Sequence, residues 1–97
     1  MSAQQPRPVA ATDNTTDFDS GEPSLDRYLA VRALANHVGD VARCYVCVDG
    51  DDGTILGYYT LSAVAVEHAY LPGRIRRNAP DTVPAVLLGR LGVDLKA

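Results

Sequence analysis

Two cysteines three residues apart, Cys44 and Cys47, are the first residues whose spacing could do chemistry, because C-x-x-C serves both dithiol redox and zinc sites. Their surroundings argue against both uses. The run Arg43-Cys44-Tyr45-Val46-Cys47-Val48-Asp49 is rich in β-branched and aromatic residues and reads as a strand. Three residues apart on a strand, the two side chains face opposite ways, with Cα atoms about 10 Å apart. A disulfide needs less than about 7 Å. Zinc would require a further ligand pair, and His37 and His68 stand alone in unrelated contexts. Both cysteines are expected to pack as small apolar side chains, and no metal site is expected.

Other candidates weaken in the same way. Gly89-Arg90-Leu91-Gly92 matches a G-x-x-G, which in KH domains joins two helices, but here it lies inside a strand pattern. Ser62 has no G-x-S-x-G around it, and no Ser-His-Asp order is convincing. Asp51-Asp52 sits in a turn and is explained by turn chemistry. The basic trio Arg74, Arg76 and Arg77 could form a local cationic face. Residues 1–70 carry a net −6 and residues 71–97 a net +3, so the charge changes sign along a chain whose total is −3.

The elements that would position these groups fit one α+β domain of 97 residues. Residues 1–17 are polar and expected to be poorly ordered, with a possible short strand at Val9-Ala10-Ala11. Pro23 marks the first turn of a helix, and Leu25, Tyr28, Leu29 and Ala33 recur at helical spacing. That helix is expected to run to about Asn36 and end near Gly39. A hairpin follows: Arg43–Asp49, a Gly50-Asp51-Asp52-Gly53 turn, and Thr54–Val66, apolar on both faces as in a covered central strand. Arg74–Arg77 is expected to be a short helix or turn. Pro84–Asp94 is a third long strand, whose Gly89 and Gly92 mark a bulge or a close backbone approach. No stretch is long and apolar enough to span a membrane, and no signal peptide is visible, so a cytoplasmic location is expected.

Three ordered blocks carry a resemblance. Phe18-Asp19-Ser20-Gly21-Glu22-Pro23-Ser24-Leu25-Asp26-Arg27-Tyr28-Leu29 resembles the opening helix of toxin-type GNAT acetyltransferases. Gly57-Tyr58-Tyr59-Thr60-Leu61-Ser62-Ala63 resembles their third strand, and Val83–Asp94 their fourth. The resemblance implies the N-terminal half of a GNAT fold, a mixed, bent, mostly antiparallel sheet with flanking helices, spanning residues 18–97. It implies acetyl-CoA as cofactor, the α-amino group of aminoacyl-tRNA as acceptor, and a block on translation. Its implied partners are a ribbon-helix-helix antitoxin and a second copy in a homodimer. It places Leu91, Gly92 and Val93 at the bulge that hydrogen-bonds the pantetheine arm, and suits Arg74, Arg76 and Arg77 to tRNA.

The family's pyrophosphate loop, of the form Gln/Arg-x-x-Gly-x-Gly/Ala, does not follow Asp94, where the sequence reads Leu95-Lys96-Ala97. The expectation is therefore a truncated acetyltransferase without assigned catalytic residues and inactive alone. The alternatives are a non-catalytic binding or dimerisation module that titrates an antitoxin, or a fragment of an enzyme acting on small amines or protein N-termini.

Overall fold

A computed structural model describes residues 2–67, 73 and 82–97. Its elements run β1 (Arg7–Pro8), α1 (Pro23–Val31), α2 (Ala33–Val38), β2 (Arg43–Val48), β3 (Ile55–Glu67) and β4 (Thr82–Val93). The four strands form one antiparallel sheet in the order β1-β2-β3-β4. This is the expected α+β architecture, with helices packed on one face of the sheet.

The first strand lies two residues earlier than Val9–Ala11. Arg7 and Pro8 pair with Val46 and Tyr45, while Val9 turns inward and its N–H donates to the Cys44 carbonyl at 3.0 Å. Further bonds hold this segment along β2. Gln4 N–H donates to the Val48 carbonyl at 2.9 Å, and the Asp49 carboxylate accepts from Ser2 N–H at 3.1 Å.

The single helix read from Pro23 to Asn36 is two helices. Arg32, with φ −115°, interrupts the helical path between them. The side-chain stripe still faces the sheet: Tyr28, Leu29 and Ala33 are buried. Leu34 falls on the solvent side of α2. After Gly39 the chain reverses at Asp40, which takes the left-handed φ of +61°.

The core lies between the helices and the sheet, where Cys44, Val46 and Val48 of β2 meet Ile55 and Tyr58 of β3 beneath Phe18, Tyr28, Leu29 and Ala33. The opposite face of β2 and β3 carries Tyr45 stacked on Tyr59 at 5.3 Å. Cys44 and Cys47 therefore sit on opposite faces, as their spacing requires, and both are free thiols. Burial pushes the Cys44 thiol up to about 11.

Candidate functional site

β4 is the strand on which the resemblance places cofactor contacts, and its register fixes which backbone groups are free. Leu91, Gly92 and Val93 pair regularly with Tyr59, Tyr58 and Gly57. The bulge lies elsewhere: Thr60 pairs with Arg90 and Leu61 with Leu88, which leaves Gly89 as the extra residue. A Cβ on Gly89 would stand 3.1 Å from the Thr60 hydroxyl, so glycine suits the close approach. The expected bulge at Leu91–Val93 is thus displaced to Gly89.

Backbone direction alternates along an antiparallel ladder. Asp94 N–H donates to the Leu56 carbonyl at 2.8 Å, so Asp94, Gly92 and Arg90 turn their amides toward β3. Leu91 and Val93 then turn their N–H and C=O groups to the other side. Among the described residues no strand pairs with that side. The same phase holds across the sheet, since Cys44 and Val48 accept from the β1 side. Among the described residues Leu91 and Val93 are accordingly an open edge of two donors and two acceptors, and the two residues are 60% and 56% exposed.

The helix side of β4 is tightly held. The Arg90 guanidinium lies 3.8 Å over the Tyr28 ring of α1. A Cβ on Gly92 would meet the Tyr58 ring at 3.1 Å and the Phe18 ring at 3.4 Å, so the missing methyl lets those aromatics close over the strand. Phe18 meets Tyr58 edge-on at 5.4 Å. The Tyr58 hydroxyl donates to the Leu25 carbonyl at 2.7 Å, and burial pushes its pKa up to about 12. At the strand's end Asp94 is 5% exposed, and its carboxylate accepts from the backbone N–H groups of Asp19 and Lys96. Those two bonds hold its pKa below the usual carboxylate range.

An apolar cavity of about 310 Å³ opens beside this edge, lined by Ala3, Cys47, Leu56, Gly57, Val93 and Ala97. Farther along β4, Val86, Leu87 and Leu88 are 53–69% exposed.

Arg74, Arg76 and Arg77 lie outside the described residues, as does His68. Among the described residues no cluster of His, Cys, Asp or Glu could hold a metal ion, and no helix is long and apolar enough to cross a membrane. Sequence reasoning missed the Asp94–Asp19 contact. The two residues are 75 positions apart, and only the fold brings them together.

No profile of a known protein family matches the chain. A tRNA-acetylating toxin of Mycobacterium tuberculosis is 54% identical over 91 residues, covering 94% of this chain and 54% of that protein. The toxin AtaT, solved in complex with acetyl-methionyl-tRNAfMet, superposes with a TM-score of 0.84 at 29% identity, over 95% of this chain and 57% of that one. The chain carries the N-terminal part of the GNAT toxin fold. A mutant AtaT bound to acetyl-CoA and to the C-terminus of its antitoxin AtaR gives a TM-score of 0.72 at 25% identity, covering 95% and 53% of the two chains. AtaT, which shares this fold, thus binds acetyl-CoA. The chain spans about half the length of the curated relatives it matches.

Proposed function

We propose that this chain supplies the cofactor strand and opening helices of an acetyl-CoA-dependent acetyltransferase whose acceptor is the α-amino group of aminoacyl-tRNA. The observation that carries the reading is the open edge at Leu91 and Val93, standing in a sheet similar to that of toxins named for acetyl-CoA and acetyl-methionyl-tRNA. The pantetheine arm of acetyl-CoA contains two amides, and an edge with two outward N–H and two outward C=O groups is complementary to them. Gly92, between them, keeps its amide on β3 and leaves no room for a side chain beside Tyr58 and Phe18. Acetyl-CoA, when bound, supplies a thioester carbonyl open to attack by an amine. The described residues supply positioning: Tyr58, Phe18 and Arg90 fix the strand against α1. Arg74, Arg76 and Arg77 are proposed as phosphate contacts for tRNA, which would make acceptor binding salt-dependent. A cytoplasmic location follows from that acceptor.

The bare side chains of Val86, Leu87 and Leu88 favour a second role beside the first. Val86, Leu88, Leu91 and Val93, each more than half exposed, share one face of β4 and form an apolar patch of the kind that marks an interface, while Leu87 is exposed on the other face. A ribbon-helix-helix antitoxin and a second copy of the chain are the proposed partners.

The test is a chimera in which residues 2–94 replace the matching part of the Mycobacterium tuberculosis toxin. The expected result is transfer of labelled acetyl from acetyl-CoA to aminoacyl-tRNA and none to uncharged tRNA. A folded chimera that labels only free amines or protein N-termini would overturn the acceptor. One that labels nothing yet still binds an antitoxin would favour a non-catalytic binding role.

A further inference from the structure

The segment Arg90–Asp94 is tied to the α1 region at both ends, and the proposed cofactor edge lies between the ties. At the near end Arg90 rests on Tyr28 at 3.8 Å. At the far end the Asp94 carboxylate accepts from Asp19 N–H at 3.0 Å through one oxygen and from Lys96 N–H at 2.8 Å through the other. The connection is reciprocal, because Leu95 N–H donates to the Asp19 carbonyl at 2.8 Å. Asp94 also keeps its own N–H on Leu56 of β3.

The turn at the other end of this contact is itself braced. Gly21, with φ +85°, donates its N–H to the Asp19 carboxylate at 2.9 Å, and a Cβ added there would stand 3.4 Å from the Leu95 side chain. The Ser20 hydroxyl and N–H both donate to the Asp26 carboxylate of α1, at 2.7 and 2.9 Å. A continuous set of bonds therefore runs from the end of β4 through Asp94, the Asp19 turn and Ser20 into α1.

We infer that Asp94 is a positioning residue for the proposed cofactor edge: its buried carboxylate clamps the end of β4 to the Asp19 turn and thereby sets the direction of the Leu91 and Val93 backbone groups. The inference rests on the reading of that edge as the cofactor site. A carboxylate suits the task because it accepts from two backbone N–H groups at once, whereas an amide offers one oxygen and turns a donor against the second N–H.

The experiment uses ¹⁵N-labelled residues 1–97 as wild type, Asp94→Ala and Asp94→Asn, each well below its melting midpoint. Amide shifts and exchange are recorded first without ligand, then with acetyl-CoA. Without ligand, Asp94→Ala is expected to move the Leu91 and Val93 amides as well as those of Asp19 and Lys96. With acetyl-CoA, loss of two charge-assisted bonds should weaken binding about tenfold, with Asp94→Asn between the two. A merely structural role would lower the midpoint while leaving Leu91, Val93 and the affinity unchanged, and that result overturns the inference. A wild type that does not respond to acetyl-CoA overturns the reading of the edge, while the ligand-free shifts still decide the clamp. Should Asp94→Ala fail to fold, Asp94→Asn alone decides, since it retains one acceptor.

Discussion

Replacing Tyr58 by Phe isolates the bond that fixes α1 on the sheet. Tyr58 is 1% exposed, and its hydroxyl donates to the Leu25 carbonyl at 2.7 Å. The ring itself stays packed against Phe18 and Tyr28 in the variant, so the apolar contribution is unchanged. The Leu25 carbonyl lies in the first turn of α1 and keeps its helical partner four residues on, so no acceptor is fully orphaned. The loss is then that of one hydrogen bond, about 1 kcal/mol. For a domain of this size that lowers Tm by about 4–8 °C. Burial raises the folded-state hydroxyl to about 12 while the unfolded chain ionises near 10, so the decrement should hold between neutral pH and about pH 9 and shrink above that as the unfolded tyrosine loses its proton first. Thermal unfolding followed by circular dichroism measures it. Tyr28→Phe is the control, since the Tyr28 hydroxyl only accepts from the half-exposed Asn36 amide at 3.1 Å, and it should cost less. A Tyr58→Phe midpoint within a degree of wild type, or a larger drop for Tyr28→Phe, would refute the reasoning.

Three further outcomes follow from the same structure. Burial holds His37 below its ordinary pKa, and its Nδ1 accepts from Cys44 N–H at 3.0 Å. The unfolded chain therefore takes up the proton first, and stability should fall as pH drops below about 6.5 toward the folded-state value. A His37→Gln variant should flatten that slope in denaturant titrations between pH 7 and pH 5. Native alkylation should label the half-exposed Cys47 and spare Cys44 until the chain unfolds, as peptide mass analysis would report. Arg90→Met keeps an apolar stem over Tyr28 but removes the cation, and should lower stability by about 0.5–1 kcal/mol in chemical denaturation.

Much of the fold was legible because its signals are local. The Gly50–Gly53 turn, the β-rich runs on either side and the Leu25-Tyr28-Leu29-Ala33 stripe each lie within a few residues. The features that escaped depend on partners distant in sequence. The β1 position is set by β2 partners 37 and 39 residues later, Tyr45 and Val46, which select Arg7 and Pro8 over the more strand-like Val9–Ala11. The break at Arg32 leaves no Pro or Gly in the sequence to announce it. Two glycines in β4 signalled an irregularity, but only the register with Thr60 and Leu61 shows that Gly89 carries it and that Gly92 serves aromatic packing. The edge residues Leu91 and Val93 were reachable through resemblance, while their outward backbone groups follow only from the ladder phase.

The most direct test of the account is calorimetric titration of acetyl-CoA into the wild-type chain and into Val93→Pro. Proline removes the outward N–H of Val93 without removing a bond to β3, and the preceding Gly92 accommodates it. The account predicts weak but saturable binding by the wild type, at least about tenfold weaker binding by Val93→Pro, and similar melting midpoints for both. Equal affinity in the two proteins would contradict the claim that the β4 edge receives the cofactor.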